Sequence, residues 1–156
     1  MTNEVAFRHA TRNDVSAIVA LLADDELGRM RESNTDPLPE SYYKSFELID
    51  SDPLNELVVA CSEDEVVGVF QLTFLPYLTH QGSLRALIEG VRVARSHRSQ
   101  GLGQTMFEWA IRRARERGCR MMQLTTDKAR PDAHRFYERL GFTASHEGMK
   151  LDLTEA

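Results

Sequence analysis

Cysteine is scarce in this chain: two residues in 156, Cys61 and Cys119, each in an apolar, strand-like setting. That scarcity argues against a disulfide framework and for buried free thiols in a reducing compartment. The two cysteines form no paired motif, so a covalent acyl-cysteine mechanism is not expected. No apolar run approaches the roughly 20 residues of a membrane-spanning helix. Residues 1–4 lack the basic-then-apolar plan of a secretory leader. The expectation is a cytoplasmic protein that does not engage a membrane. His80, His97 and His134 lie far apart, without the spacing of metal ligands, so no metal is expected. Low-complexity segments and internal repeats are also missing. The remaining composition, 42% hydrophobic and 28% charged, is that of an ordinary globular protein. A single domain over residues 1–156 is long enough to bury a core.

A basic excess is lacking too, since the net charge is −5. With no basic-aromatic stripe, nucleic acid is not expected as a partner. The charge is unevenly spread. Residues 1–79 carry 15 acidic and 5 basic side chains, whereas residues 80–156 carry 9 acidic and 14 basic ones.

Hydrophobic periodicity predicts alternating strands and helices, hence a mixed α/β (α+β) fold. Residues 5–8 read as a first strand. Thr11 reads as a helix N-cap with Asp14 in the capping-box position, and Val15, Ile18, Val19 and Leu22 space a helical face. Residues 24–38 are polar and interrupted by Gly28 and Pro37, which suits a connection or a short helix. Pro39 suits a helix start, and Tyr42, Tyr43, Phe46 and Ile49 continue at helical spacing. Residues 55–61 and 66–78 read as a hairpin turning at Glu63-Asp64-Glu65. Residues 84–93 form the next strand. Leu102, Met106, Trp109 and Ala110 mark the buried stripe of a helix, with Arg112, Arg113, Arg115, Glu116 and Arg117 mostly outward, and Gly118 ends it. A strand over 121–126, a helix over 131–140 and a closing strand or hairpin over 142–153 complete the pattern.

The most informative stretch is Arg98-Ser99-Gln100-Gly101-Leu102-Gly103, between an apolar strand and a helix start. The first N–H groups of a helix have no intrahelical partner and lie at the positive end of its dipole. Gly101 and Gly103 leave room for close approach, and Arg98 adds a guanidinium fork suited to phosphate oxygens. This reads as a pyrophosphate cradle. A nucleotide-triphosphate loop would need Gly-Lys-Ser/Thr, which is absent, and a dinucleotide loop would need a third Gly where Met106 stands. The loop resembles the Arg/Gln-x-x-Gly-x-Gly/Ala signature of the GCN5-related N-acetyltransferases, the GNAT superfamily. A second stretch, from Ala133 through Phe136, Tyr137 and Gly141 to Phe142, resembles the superfamily's Ala-x-x-Phe-Tyr-x-x-x-Gly-Phe pattern. The two occur in the superfamily's order and separation.

The resemblance implies a central, mostly antiparallel sheet of six or seven strands, splayed near strands 4 and 5 and flanked by about four helices. It implies acetyl-CoA as cosubstrate and a primary amine as acceptor. Peptide groups of Val91, Arg92 and Val93 would pair with the pantetheine amides, and the N–H groups of Gln100, Gly101, Leu102, Gly103 and Gln104 would face the pyrophosphate, with Arg98 and Ser99 beside them. Many relatives carry Asn where this chain has Arg130; Asp127 or Lys128 is then a candidate contact to the coenzyme, or simply a loop residue. The basic half would attract coenzyme phosphates. The acidic half holds the segment that usually shapes the acceptor pocket, so an acidic rim favouring a cationic amine is one expectation, and a solvated face is the other. Dimers are common in the superfamily, so a homodimer is among the assemblies it allows.

An alkyl ammonium, with a pKa of about 10.4, must lose a proton before it can attack a thioester. Glu89 interrupts an apolar run and is the candidate general base, directly or through a water. The alternative is a carboxylate on the solvent side of its strand. Tyr137 matches the superfamily's tyrosine and is the candidate acid for the departing thiolate, or a hydrogen-bonding partner that positions the sulfur. Phe74 and Tyr77 could line the acceptor side. Three functional classes follow: an enzyme acting on a small-molecule amine (favoured), an enzyme acting on a protein N-terminus or lysine, and a non-catalytic module sensing acetyl-CoA.

Overall fold

Runs of β-branched and aromatic residues build the centre of the sheet, where β2 (Asn55–Ser62) and β3 (Glu65–Pro76) form a hairpin turning at Glu63 and Asp64. This computed structural model describes residues 4–154. Residues 1–3, part of the segment read for a leader, and residues 155–156 lie outside that range. On one side of the hairpin, β1 (Val5–His9) pairs antiparallel with β2; on the other, β4 (Leu84–Val93) pairs antiparallel with β3. The short β5 (Met121–Gln123) runs parallel to β4, so the spatial order is β1-β2-β3-β4-β5.

Because successive strand residues face opposite sides, each face carries its own core. One face (Val58, Phe70, Leu72, Phe74, Ala86, Ile88) packs on Leu102, Met106, Phe107 and Ala110 of α5 (Leu102–Glu116). The other (Val59, Cys61, Val69) packs on α1 (Val15–Leu22) and α3 (Glu40–Ser51). Between those two helices lies the six-residue α2 (Glu26–Arg31), and α4 (Thr79–Gly82) is a single turn in which His80 and Gln81 take left-handed φ. The last helix, α6 (Pro131–Arg139), packs Phe136 and Tyr137 edge-on against Phe107. No described helix is long and apolar enough to cross a membrane.

Several expectations are met closely. The Asp14 carboxylate accepts from the Thr11 N–H at 2.7 Å and its hydroxyl at 3.1 Å, closing a turn ahead of α1. The described residues contain six α-helices, four of them (α1, α3, α5, α6) with eight or more residues, where about four were expected. Other expectations are corrected. The sheet has five strands among the described residues, not six or seven. Residues 143–154 form neither strand nor hairpin, although Met149, Leu151 and Leu153 alternate as a strand would. Those three side chains are 96%, 83% and 85% exposed. Alternation alone cannot make a strand, because its backbone bonds come from a neighbour, and no ladder runs beside this segment. β5 likewise stops at Gln123 instead of continuing to residue 126. Arg113 and Arg117 do not point outward: both reach Glu56, which is 5% exposed on β2.

Candidate active site

The sheet opens beside β4. β5 pairs only with Arg85, Ala86 and Leu87, leaving residues 88–93 of the ten-residue β4 without a neighbour on that edge. This is the splay expected between strands 4 and 5. Peptide groups along such an edge can pair with an extended ligand. Two of its carbonyls already accept from arginines: Val91 from Arg92 Nη1 at 2.8 Å, and Val93 from Arg98 Nε at 3.1 Å.

Within β4 the register slips. Gln71 faces Glu89 and Val69 faces Arg92, so three β4 residues span two on β3. The bulge falls at Gly90, whose φ of 64° suits glycine. Its consequence is positional: Ile88 and Val91 pack on the α5 side, while Glu89 and Arg92 both face the α1 side. Without the bulge, Glu89 and Arg92 would lie on opposite faces.

Beyond β4, a short helical turn (Arg95–His97) leads to the expected cradle. Ser99, Gln100, Gly101 and Gln104 are exposed, and Leu102 anchors the loop in the core. Gly101 caps α5 with φ 82°, a left-handed conformation that costs any other L-residue energy. The first intrahelical donor is Thr105, whose N–H meets the Gly101 carbonyl at 3.1 Å. The preceding N–H groups are therefore free for an anion. Gly103 lies against Phe136, where a Cβ would sit 3.7 Å from the ring. These features suit a coenzyme pyrophosphate and pantetheine arm.

Around the cradle the charges are paired. Asp24 meets Arg95 at 3.1 Å and Arg98 at 3.5 Å. Asp25 caps α2, accepting from the Gly28 N–H at 2.5 Å, and its Oδ2 meets Arg130 at 3.0 Å and Arg92 at 3.4 Å. Burial pushes the Asp25 carboxyl up, but the Gly28 N–H and the two guanidinium charges outweigh it and hold it below the ordinary range. Burial also pulls Arg92 below the usual guanidinium range, against the Asp25 charge. Asp24 and Asp25, the first two carboxylates of residues 24–38, thus both meet arginines.

Tyr137 is half-buried among Phe107, Phe136 and Phe142. Burial raises its phenol; Arg130 and Arg92 oppose the rise, and Glu89 adds to it. The Tyr137 phenol thus feels the charges of Arg130, Arg92 and Glu89. Asp127 is engaged locally, its carboxylate accepting from Ala129 N–H at 2.8 Å ahead of α6. Phe74 is fully buried beneath Arg117 and lines no acceptor surface. Asp25 and Arg130 escaped the sequence reading of the site; the signal for Arg130 was its place where related chains carry Asn.

The chain matches the sequence model of the Acetyltransferase (GNAT) family over residues 19–142. It is 31% identical over 139 residues to an aminoalkylphosphonate N-acetyltransferase of Salmonella typhimurium, covering 89% of this chain and 85% of that protein. It is 36% identical over 89 residues to a glucosamine 6-phosphate N-acetyltransferase of Trypanosoma brucei brucei, covering 56% of this chain and 58% of that protein. A crystal structure described as a transcriptional regulator from Bacillus halodurans C-125 has a TM-score of 0.93 at 57% identity, covering 96% of this chain and all (100%) of that one.

Proposed function

The chain belongs to the acetyltransferase (GNAT) family and is an acetyl-CoA-dependent N-acetyltransferase, and from that premise we propose that its acceptor is a small-molecule primary amine attacking without an acetyl-enzyme stage. The observation that carries the choice of acceptor is the relationship to two enzymes named for small amines, an aminoalkylphosphonate and glucosamine 6-phosphate. A cytoplasmic setting belongs to the same reading.

Glu89, on the α1 face of β4, takes a proton from the acceptor ammonium, directly or through one water. Bound acetyl-CoA supplies the thioester whose carbonyl carbon gains a bond to nitrogen as its bond to sulfur breaks. Tyr137 gives its phenolic proton to the departing sulfur, and the second proton, shed by nitrogen as the amide forms, restores the phenol; burial keeps the proton on the hydroxyl until it is needed. The peptide groups of Val91, Arg92 and Val93 align the pantetheine arm along the open edge. N–H groups of residues 100–104 hold the pyrophosphate, with Arg98 adding charge from the strand side; Asp127 shapes the turn before α6.

Calorimetric titration with acetyl-CoA, followed by thiol-release assays on a panel of amines, tests this. Micromolar binding, about −8 kcal/mol, together with turnover of a small amine, is the expected result. Turnover of peptides alone would move the acceptor to proteins, and no binding at millimolar acetyl-CoA would refute the cradle.

A further inference from the structure

We propose that Arg92 and Arg130 form an anion anchor for the acceptor, so that the preferred substrate is a small amine carrying a phosphonate or phosphate group. This deepens the proposed function and rests on it.

The charge balance is the first argument. A single oxygen, Asp25 Oδ2, faces two guanidiniums, Arg130 at 3.0 Å and Arg92 at 3.4 Å. The Arg92 atom in that 3.4 Å contact is Nε, which is buried and makes no hydrogen bond, so Asp25 holds it only through a long ion pair. Arg31 adds further positive charge toward Arg92 and has Glu32 as its own partner at 2.7 Å. A buried donor without a hydrogen bond is under-satisfied, one carboxylate oxygen is shared between two guanidiniums, and guanidinium forks suit an oxyanion with several acceptor oxygens. A tetrahedral oxyanion can serve both forks while Asp25 keeps its bond to Gly28.

Location is the second. The bulge at Gly90 turns Arg92 to the same face as Glu89, away from the α5 side where Val91 packs. Arg130 stands at the start of α6, two turns before Tyr137, and its carbonyl accepts from the His134 N–H at 3.3 Å. One residue of each pair therefore serves proton transfer (Glu89, Tyr137) and the other the anion (Arg92, Arg130). An acceptor bridging them would present its amine to the base and its oxyanion to the arginines. The coenzyme also carries phosphates, and its cradle is a neighbour, since Arg98 pairs with Asp24 beside Asp25, so the test must separate the two anions.

Calorimetry on the protein saturated with coenzyme A, using 2-aminoethylphosphonate and n-propylamine as probes, tests the anchor without requiring turnover. We expect 2-aminoethylphosphonate to bind at least about 30-fold tighter than n-propylamine, and Arg130→Gln to weaken it by about tenfold or more. Arg92→Gln, a second variant, should do the same. Affinity of Arg130→Gln for coenzyme A should change less than about threefold, since the cradle is built by other groups. Equal affinity for the two probes, no binding of either at millimolar concentration, or an unchanged Arg130→Gln each overturns the anchor. An equal loss for coenzyme A and the phosphonate would assign the arginines to the coenzyme and also overturn it. Thiol release measured in parallel separates the two claims. Phosphonate binding without transfer refutes the proposed function and leaves the anchor standing; transfer with no preference for the anionic amine does the reverse.

Discussion

Replacing Arg113 with Met removes the main partner of a buried carboxylate. Glu56 is 5% exposed, and Arg113 holds it through Nε at 3.0 and 3.1 Å and Nη2 at 2.5 Å. Stripping one partner from a buried ion pair costs about 3–5 kcal/mol. Arg117 remains 3.4 Å away, and the two arginine side chains are 31% and 27% exposed, so water softens the loss. The expected cost is about 2–3 kcal/mol. Glu56→Gln should cost less, about 1 kcal/mol, because the arginines it releases can turn to solvent. The double variant should lose less than the two single losses together, since both changes delete one interaction. Urea unfolding at pH 7, followed by Trp109 fluorescence, should show the Arg113→Met midpoint falling by roughly 1–2 M. The sign of the pH dependence is fixed by Glu56. Burial raises its carboxyl, yet the Arg113 bonds, with the charges of Arg113, His9 and Arg117, hold it below the ordinary range. Its stabilisation is complete above that range and disappears as pH falls through the lowered value, so wild type and Glu56→Gln should converge in acid. A loss under about 0.5 kcal/mol for Arg113→Met, or strict additivity in the double variant, would refute the assignment.

Glu89→Gln should keep its calorimetric affinity for acetyl-CoA while thiol release falls at least about tenfold; unimpaired turnover would remove Glu89 from the base role. Tyr137→Phe should slow transfer with an unchanged melting profile. Because burial raises the phenol, the basic limb of the wild-type pH–rate curve should lie above about 10 and be absent from this variant. A basic limb that persists in Tyr137→Phe belongs to another group. Gly101→Ala meets no atom within 4 Å, so its cost is backbone strain alone, about 1–2 kcal/mol by urea unfolding. It should also weaken acetyl-CoA binding, and an undiminished affinity would mean that the loop does not hold the coenzyme.

What was legible in the sequence was local or periodic. The strand at Leu84–Val93 follows from its apolar run, and the start of α1 from the reciprocal spacing of Thr11 and Asp14. The cradle was legible because strand, glycines and helix start are contiguous. What escaped depends on residues distant in sequence. Asp25 and Arg130 are joined across 105 positions, and Arg113 reaches Glu56 across 57. Nothing in either neighbourhood announces its partner. Residues 143–154 failed in the opposite way: the alternation of Met149, Leu151 and Leu153 is genuine, but a strand needs a neighbour that no period reveals.

The extra residue at Gly90 gives β4 two independent alphabets. Its open edge speaks through peptide groups, which stay the same whatever side chains are substituted. Its α1 face speaks through side chains at positions 89 and 92, which mutation can rewrite freely. Drift toward a new acceptor can therefore proceed on that face while the coenzyme continues to read an unchanged backbone. Pairing Gly90 in regular register would undo this, sending every later side chain of the strand to the opposite side of the sheet.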